Sequence, residues 1–161
     1  MSTAIDLTIS PRLVSESERL DFLFKFFGSR LVIPGQNLIC NWMKHLCDSY
    51  SGYSSQYNKF KSVSWSFYEL SNGGFYLAPR IRGPVLISNP GNYFEGSLSP
   101  DAAGIVSTLF GVNHLIFEIY ERSKKDREII QQITALNDRY YLLRDYAKTH
   151  YESSSIMRAI D

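Results

Sequence analysis

The strand-like stretches of this chain fall between residues 65 and 98, and that concentration constrains the fold more than any other feature. Four segments qualify: 64–71, 75–78, 84–88 and 93–98. Asn72-Gly73, Arg82-Gly83-Pro84 and Asn89-Pro90-Gly91-Asn92 punctuate them. Parallel strands need a crossover of a dozen residues or more, and these connections are far shorter. The expectation is an antiparallel meander of three or four strands. Helical patterns lie on both sides of it in sequence. The class is therefore α+β, one sheet packed with about four to five helices.

The helices carry their own signals. Ser15-Glu16-Ser17-Glu18 has the form of a capping box, with Ser15 as N-cap and Glu18 at N3. A helix follows to about Phe27, with Gly28 as its stop and Leu20, Leu23, Phe24 and Phe27 as its apolar stripe. A second helix fits 36–47, burying Leu38, Ile39, Trp42, Met43 and Leu46. Ser99-Pro100-Asp101 is a sharp helix start: a capping Ser, Pro at the first position and an acid in the first turn. That helix reaches about Glu121. The longest apolar region, 102–120, is interrupted by polar residues and reads as a buried helix rather than a membrane span. A last long helix, 128–149, places Ile129, Ile133, Leu136, Tyr140, Leu143 and Ala147 on one face. A short terminal helix fits 153–160.

Length and charge bound the rest. The 161 residues favour a single domain over 1–161, with a polar, Ser- and Tyr-rich surface loop over 49–64 and a loosely ordered N-terminus over 1–14. MSTAIDLTISPRL lacks the basic start and apolar core of a secretory signal. With 17 basic and 16 acidic residues the formal charge is +1. That balance argues against a strongly basic nucleic-acid binder and equally against an acidic imitation of DNA. Cys40 and Cys47 lie about 10.5 Å apart along a helix axis, beyond the roughly 7 Å a disulfide allows. Reduced thiols suggest a cytoplasmic protein.

The Asn-Gly pair predicts a hairpin, because a type I′ turn needs positive φ at both central residues. With a two-residue turn, Leu70 faces Phe75, Glu69 faces Tyr76, and Tyr68 faces Leu77. Tyr68, Leu70, Phe75 and Leu77 would then face the core, while Phe67, Glu69, Tyr76 and Ala78 form the other face. A wider loop that takes in Gly74 would shift this register.

Residues with catalytic potential are sparse. His45, His114 and His150 have no ligand-spaced partner, and neither CxxC nor HExxH occurs, so no metal or cofactor is expected. His114 reads as a satisfied core residue. Asn72-Gly73-Gly74 opens no helix, so it is a turn and not a phosphate loop. Asp101 supports its helix N-terminus. Asp138 and Asp145 share the outer face of the last helix, a solvated face or a contact surface.

Three segments together resemble one family: FYELSNGGFYLAP, GNYFEGSLSPDAAGIVSTLFGVNHLIFE and LNDRYYLLRDYAKTH. They look like the ArdB/KlcA antirestriction proteins of plasmids and genomic islands. RLDFLFKFFG and NWMKHLC resemble that family's first two helices. The resemblance implies a small cytoplasmic α+β protein that protects incoming mobile DNA from type I restriction–modification enzymes, directly or indirectly, as a monomer or homodimer. It implies no catalytic residues. Of the matching positions, Asn72, Gly73, Gly74, Ser99, Pro100 and Asp101 have structural explanations. Glu69, Tyr76, Asp138 and Asp145 do not, and these four are the expected partner surface. The stretch 53–64 runs longer than the family pattern.

Two other readings stand beside a non-enzymatic inhibitor. A small enzyme would gather two or more of Glu69, Asp101, Asp138 and Asp145 in one concave pocket. A weak nucleic-acid-binding accessory of a mobile element would use Lys59, Lys61, Arg80 and Arg82.

Overall fold

The computed structural model describes residues 8–50 and 63–161. Lys59, Lys61 and most of the 49–64 loop lie outside them. In chain order the elements are β1 (Pro11–Leu13), a 3-10 turn (Glu16–Glu18), α1 (Arg19–Phe27), α2 (Val32–Asp48), β2 (Trp65–Leu70), β3 (Phe75–Pro79), β4 (Val85–Asn89), β5 (Phe94–Leu98), α3 (Pro100–Arg122), α4 (Arg127–Thr149) and α5 (Ser153–Ile160). The class is α+β, as expected. The strands divide, however, into a three-stranded sheet of order β1-β2-β3 and a separate β4-β5 hairpin, both antiparallel. The Ile81–Pro84 connection, with Gly83 at φ 83°, turns the chain away before β4 can pair with β3. Strand β1 was not foreseen. It lies within the 1–14 stretch expected to be loose, and its three residues pair with the edge of β2.

The helix starts show what local signals can and cannot fix. Ser99 caps α3 as expected, its Oγ accepting the Ala102 N–H at 3.1 Å. Asp126 caps α4 by accepting the Ile129 N–H. Only one arm of the capping box at Ser15 forms: Ser15 makes no side-chain cap, while the Glu18 carboxylate meets the Ser15 backbone N–H and also accepts from Arg12 at 3.0 Å. Helix α1 stops at Gly28, whose φ of 78° favours glycine. The stripe α1 buries is Phe22, Leu23, Phe26 and Phe27, while Leu20 and Phe24 are exposed. Helix α2 begins at Val32, because a proline in the first turn removes only an N–H that has no helical partner.

Strand β3 is buried on both faces and β2 partly so, while β1 is exposed at the edge. On one face, Phe67, Phe75 and Leu77 meet Phe22, Phe26 and Phe27 of α1, with Phe26 and Phe75 rings 4.7 Å apart. On the other, Leu70, Tyr76 and Ala78 meet α3 and α4. Helix α3 crosses β3 at Gly104, where a Cβ would lie 2.4 Å from the Leu77 carbonyl oxygen. One turn on, Thr108 Oγ1 accepts the Leu77 N–H at 3.1 Å and donates to the Leu77 carbonyl at 3.3 Å. At Gly111, α3 crosses α2 against Ile39. Helix α3 is long and apolar enough to span a membrane, but 61% of its apolar stretch is buried inside the fold. It serves as the central helix of the core.

Both hairpin turns are tied to helices by asparagine. Asn72 Nδ2 donates to the Leu142 carbonyl of α4, and its Oδ1 accepts the Gly74 N–H. Asn89 and Asn92 both donate to the Ala159 carbonyl in the last turn of α5, a carbonyl with no helical partner.

Candidate partner-binding surfaces

The β2–β3 turn is wider than two residues. Leu70 N–H donates to the Gly74 carbonyl and Gly73 N–H to the Leu70 carbonyl, closing a loop of Ser71, Asn72 and Gly73. Only Gly73 takes positive φ, at 95°, so the turn is a three-residue loop rather than type I′. The register moves by one. Glu69 pairs with Phe75, Tyr68 with Tyr76, and Phe67 with Leu77. A one-residue slip sends each side chain of β3 to the other face relative to β2. Tyr76 therefore lies against Tyr68, rings stacked 4.8 Å apart, and is 1% exposed. Buried there, it cannot offer a contact surface to a partner, which corrects the expectation.

Glu69 stays near the surface, but it is already paired. Its Oε1 accepts from Lys25 Nζ at 2.6 Å and its Oε2 from Arg12 at 2.9 Å, while Arg12 also holds Glu18 at 3.0 Å. The Lys25 bond is the main force holding the Glu69 carboxyl below its ordinary pKa, and desolvation opposes it. Open clefts flank the cluster, one lined by Ser10, Arg12, Glu69, Leu70 and Ser71.

Asp101 holds together far more than a helix end. Its Oδ1 accepts from the Tyr76 hydroxyl at 2.8 Å, and its Oδ2 lies 2.8 Å from His150 Nε2. His150 Nδ1 accepts the Glu152 N–H at 3.0 Å, so the ring is the Nε2–H tautomer and donates to Asp101. Glu152 also accepts from the Ser99 N–H and hydroxyl. Desolvation first, then the Asp101 charge, pushes the Tyr76 phenol far above its ordinary pKa. No spacing rule reveals this cluster, because its members lie 25 and 49 residues apart.

Asp138 and Asp145 are exposed on α4. Between them in sequence, Arg139 turns inward. It donates to the Gly73 carbonyl at 2.6 Å and stacks over the Phe26 ring at 4.3 Å, so burial lowers its pKa. Arg80 is shared with Ser66 Oγ and approaches Glu16, while Arg82 is exposed on the turn before β4. None of the described pockets gathers two of Glu69, Asp101, Asp138 and Asp145.

A further pocket, of about 310 Å³, lies between α2 and α3 and is lined by Leu38, Asn41, Trp42, His45 and His114. His114 was expected in the core. It is exposed, because it faces this open pocket rather than packed side chains, and its Nδ1 accepts the Trp42 indole N–H at 3.1 Å. Trp42 stacks on Phe110 at 4.7 Å. Phe110 and His114, one turn apart, were the available sequence signal. Cys47 is buried nearby in the core, and desolvation pushes its thiol up to about 12. Among the described residues no three metal-ligating side chains come together.

Comparison with known proteins gives a consistent result. The family described as antirestriction protein matches residues 58–161. An Escherichia coli protein named antirestriction protein KlcA is 42% identical over 156 residues, covering 97% of each chain. A second E. coli protein of that name is 42% identical over 150 residues, covering 92% of this chain and 90% of its own. A solved structure aligns with a TM-score of 0.77 at 42% identity, covering 100% of both chains. It is described as showing that KlcA and ArdB have a novel fold and antirestriction activity against Type I DNA restriction systems in vivo but not in vitro.

Proposed function

This chain belongs to the KlcA/ArdB antirestriction family, and on that premise we propose that it relieves restriction of incoming mobile DNA by type I restriction–modification enzymes. The observation that carries the reading is identity of 42% spread over 97% of both chains. The setting is the cytoplasm, where such enzymes meet unmodified DNA.

The mode of action is binding rather than catalysis. A protein that imitates DNA needs a dense acidic surface, and this chain has one more basic residue than acidic. Its most buried acid–histidine pair is committed to internal partners, with both His150 nitrogens and both Asp101 oxygens occupied. Contact with the restriction machinery, or with something that acts on it, remains. Glu69, Asp138 and Asp145 are candidate contact residues for that surface.

The relatives' activity in cells but not in purified mixtures supports a mechanism needing a cellular state of the enzyme or a further component. The test is the plating efficiency of unmodified phage on cells carrying a type I system, with and without this protein, while modification is assayed in parallel. Restriction should fall with modification intact. Unchanged plating would overturn the reading.

A further inference from the structure

The α2–α3 pocket belongs to neither acid cluster, and its chemistry is distinctive. The floor is apolar, from Leu38 and Trp42. One face of the Trp42 ring is covered by Phe110, at an interplanar angle of 18°. His45 and His114 stand edge-on to the same indole, at 89° and 77°. The Trp42 N–H is committed to His114, whose Nε2 lies 3.5 Å from Glu118. Glu118 is in turn paired with Arg122 at 3.0 Å. Among the described residues, the Asn41 amide and the His45 ring have no hydrogen-bond partner. Apolar walls with a few convergent, uncommitted polar groups are the usual make-up of a binding pocket.

Charge decides what fits. Among the described residues no lysine or arginine lines the pocket, and the Glu118 carboxylate beside it is paired with Arg122. Nucleic-acid sites that stack bases also track the phosphates with cations. This site offers stacking edges without that electrostatic partner. Its volume lies at the small end of the range for ligand sites, enough for one side chain. The exposed Phe117, one turn beyond His114, extends the apolar surface outward from the pocket. We infer that the pocket receives a neutral aromatic side chain of a protein partner, with Asn41 and His45 hydrogen-bonding its polar tip or adjacent backbone. This deepens the binding reading above and rests on it for which protein supplies the ring.

The test uses the whole protein and three probes in NMR titrations: N-acetyltyrosinamide, N-acetylalaninamide and adenosine monophosphate. The expected result is saturable shifts centred on the Trp42 indole, Asn41 and His45, with the tyrosine probe binding at least about threefold tighter than the alanine probe. His45→Ala and Asn41→Ala, both at exposed positions, should each weaken it by roughly threefold or more, as loss of a hydrogen bond predicts. Equal binding of the two amides, or preference for the nucleotide, overturns the inference. In the phage assay, His45→Ala should lower relief of restriction at least tenfold, and full relief would overturn it as well. A wild type that gives no relief while binding the tyrosine probe would instead break the proposed function alone.

Discussion

Two carboxylates in this molecule each gather two partners, and they do so under opposite conditions. Asp101 holds a tyrosine hydroxyl and an imidazole whose side chains are almost wholly buried. Glu69 holds a lysine and an arginine whose side chains are more than half exposed. The bond lengths are similar. The difference lies in the alternative open to each partner. Lys25 and Arg12 can turn to water when Glu69 is lost, whereas Tyr76 and His150 cannot. An ion pair with exposed partners is therefore close to neutral for stability, and an acid that satisfies buried donors is costly to remove.

The sharpest break of that comparison is Asp101→Ala. It strands two buried donors and should cost about 2–4 kcal/mol in urea unfolding, with the α4–α5 junction loosening first. A loss below about 1 kcal/mol would mean that the buried cluster carries no more than a surface pair. Tyr76→Phe keeps the ring stack and removes one hydroxyl, so it should cost less, about 1 kcal/mol. Glu69→Gln should change stability by under about 1 kcal/mol, and by less still in high salt.

The Glu69 effect also has a pH signature. The folded carboxyl lies below its ordinary value of 4.5, so its contribution is present above pH 4.5 and is lost as pH falls through the folded value. Wild type and Glu69→Gln, followed by urea midpoints, should therefore converge below pH 4.5. A gap that persists or widens there would show that the amide acts through packing and not through charge.

The sequence reading ranked these two acids in the reverse order, and the reason is instructive. Ser99-Pro100-Asp101 is so complete a helix start that Asp101 needed no further explanation. Yet the same side chain reaches β3 and the end of α4, contacts that only tertiary folding creates. Glu69 was assigned to a partner surface because its intramolecular partners, 44 and 57 residues away, carry no shared spacing. The elements whose signals are local were legible: the cap at Ser99, the stop at Gly28, and the apolar face of α4. Those decided by competition were not. The hairpin loop took in Ser71 as a third residue, with Gly73 alone at positive φ and Asn72 tied across to the Leu142 carbonyl of α4, a contact only tertiary folding supplies. That single residue moved Tyr76 from the surface to the interior. Strand β1 is only three residues long, too short for alternation to announce it.

The Thr108 hydroxyl bears on a different problem. Strand β3 is the last of its sheet, and such an edge ordinarily presents open N–H and C=O groups to any other chain with a strand to offer. At Leu77 both groups are taken by one side chain of a helix that also lies too close, at Gly104, for another strand to enter. A threonine thereby stands where a neighbouring strand would. Thr108→Val would keep the shape but leave both Leu77 groups buried without a partner, and a lowered urea midpoint is where the loss would be seen.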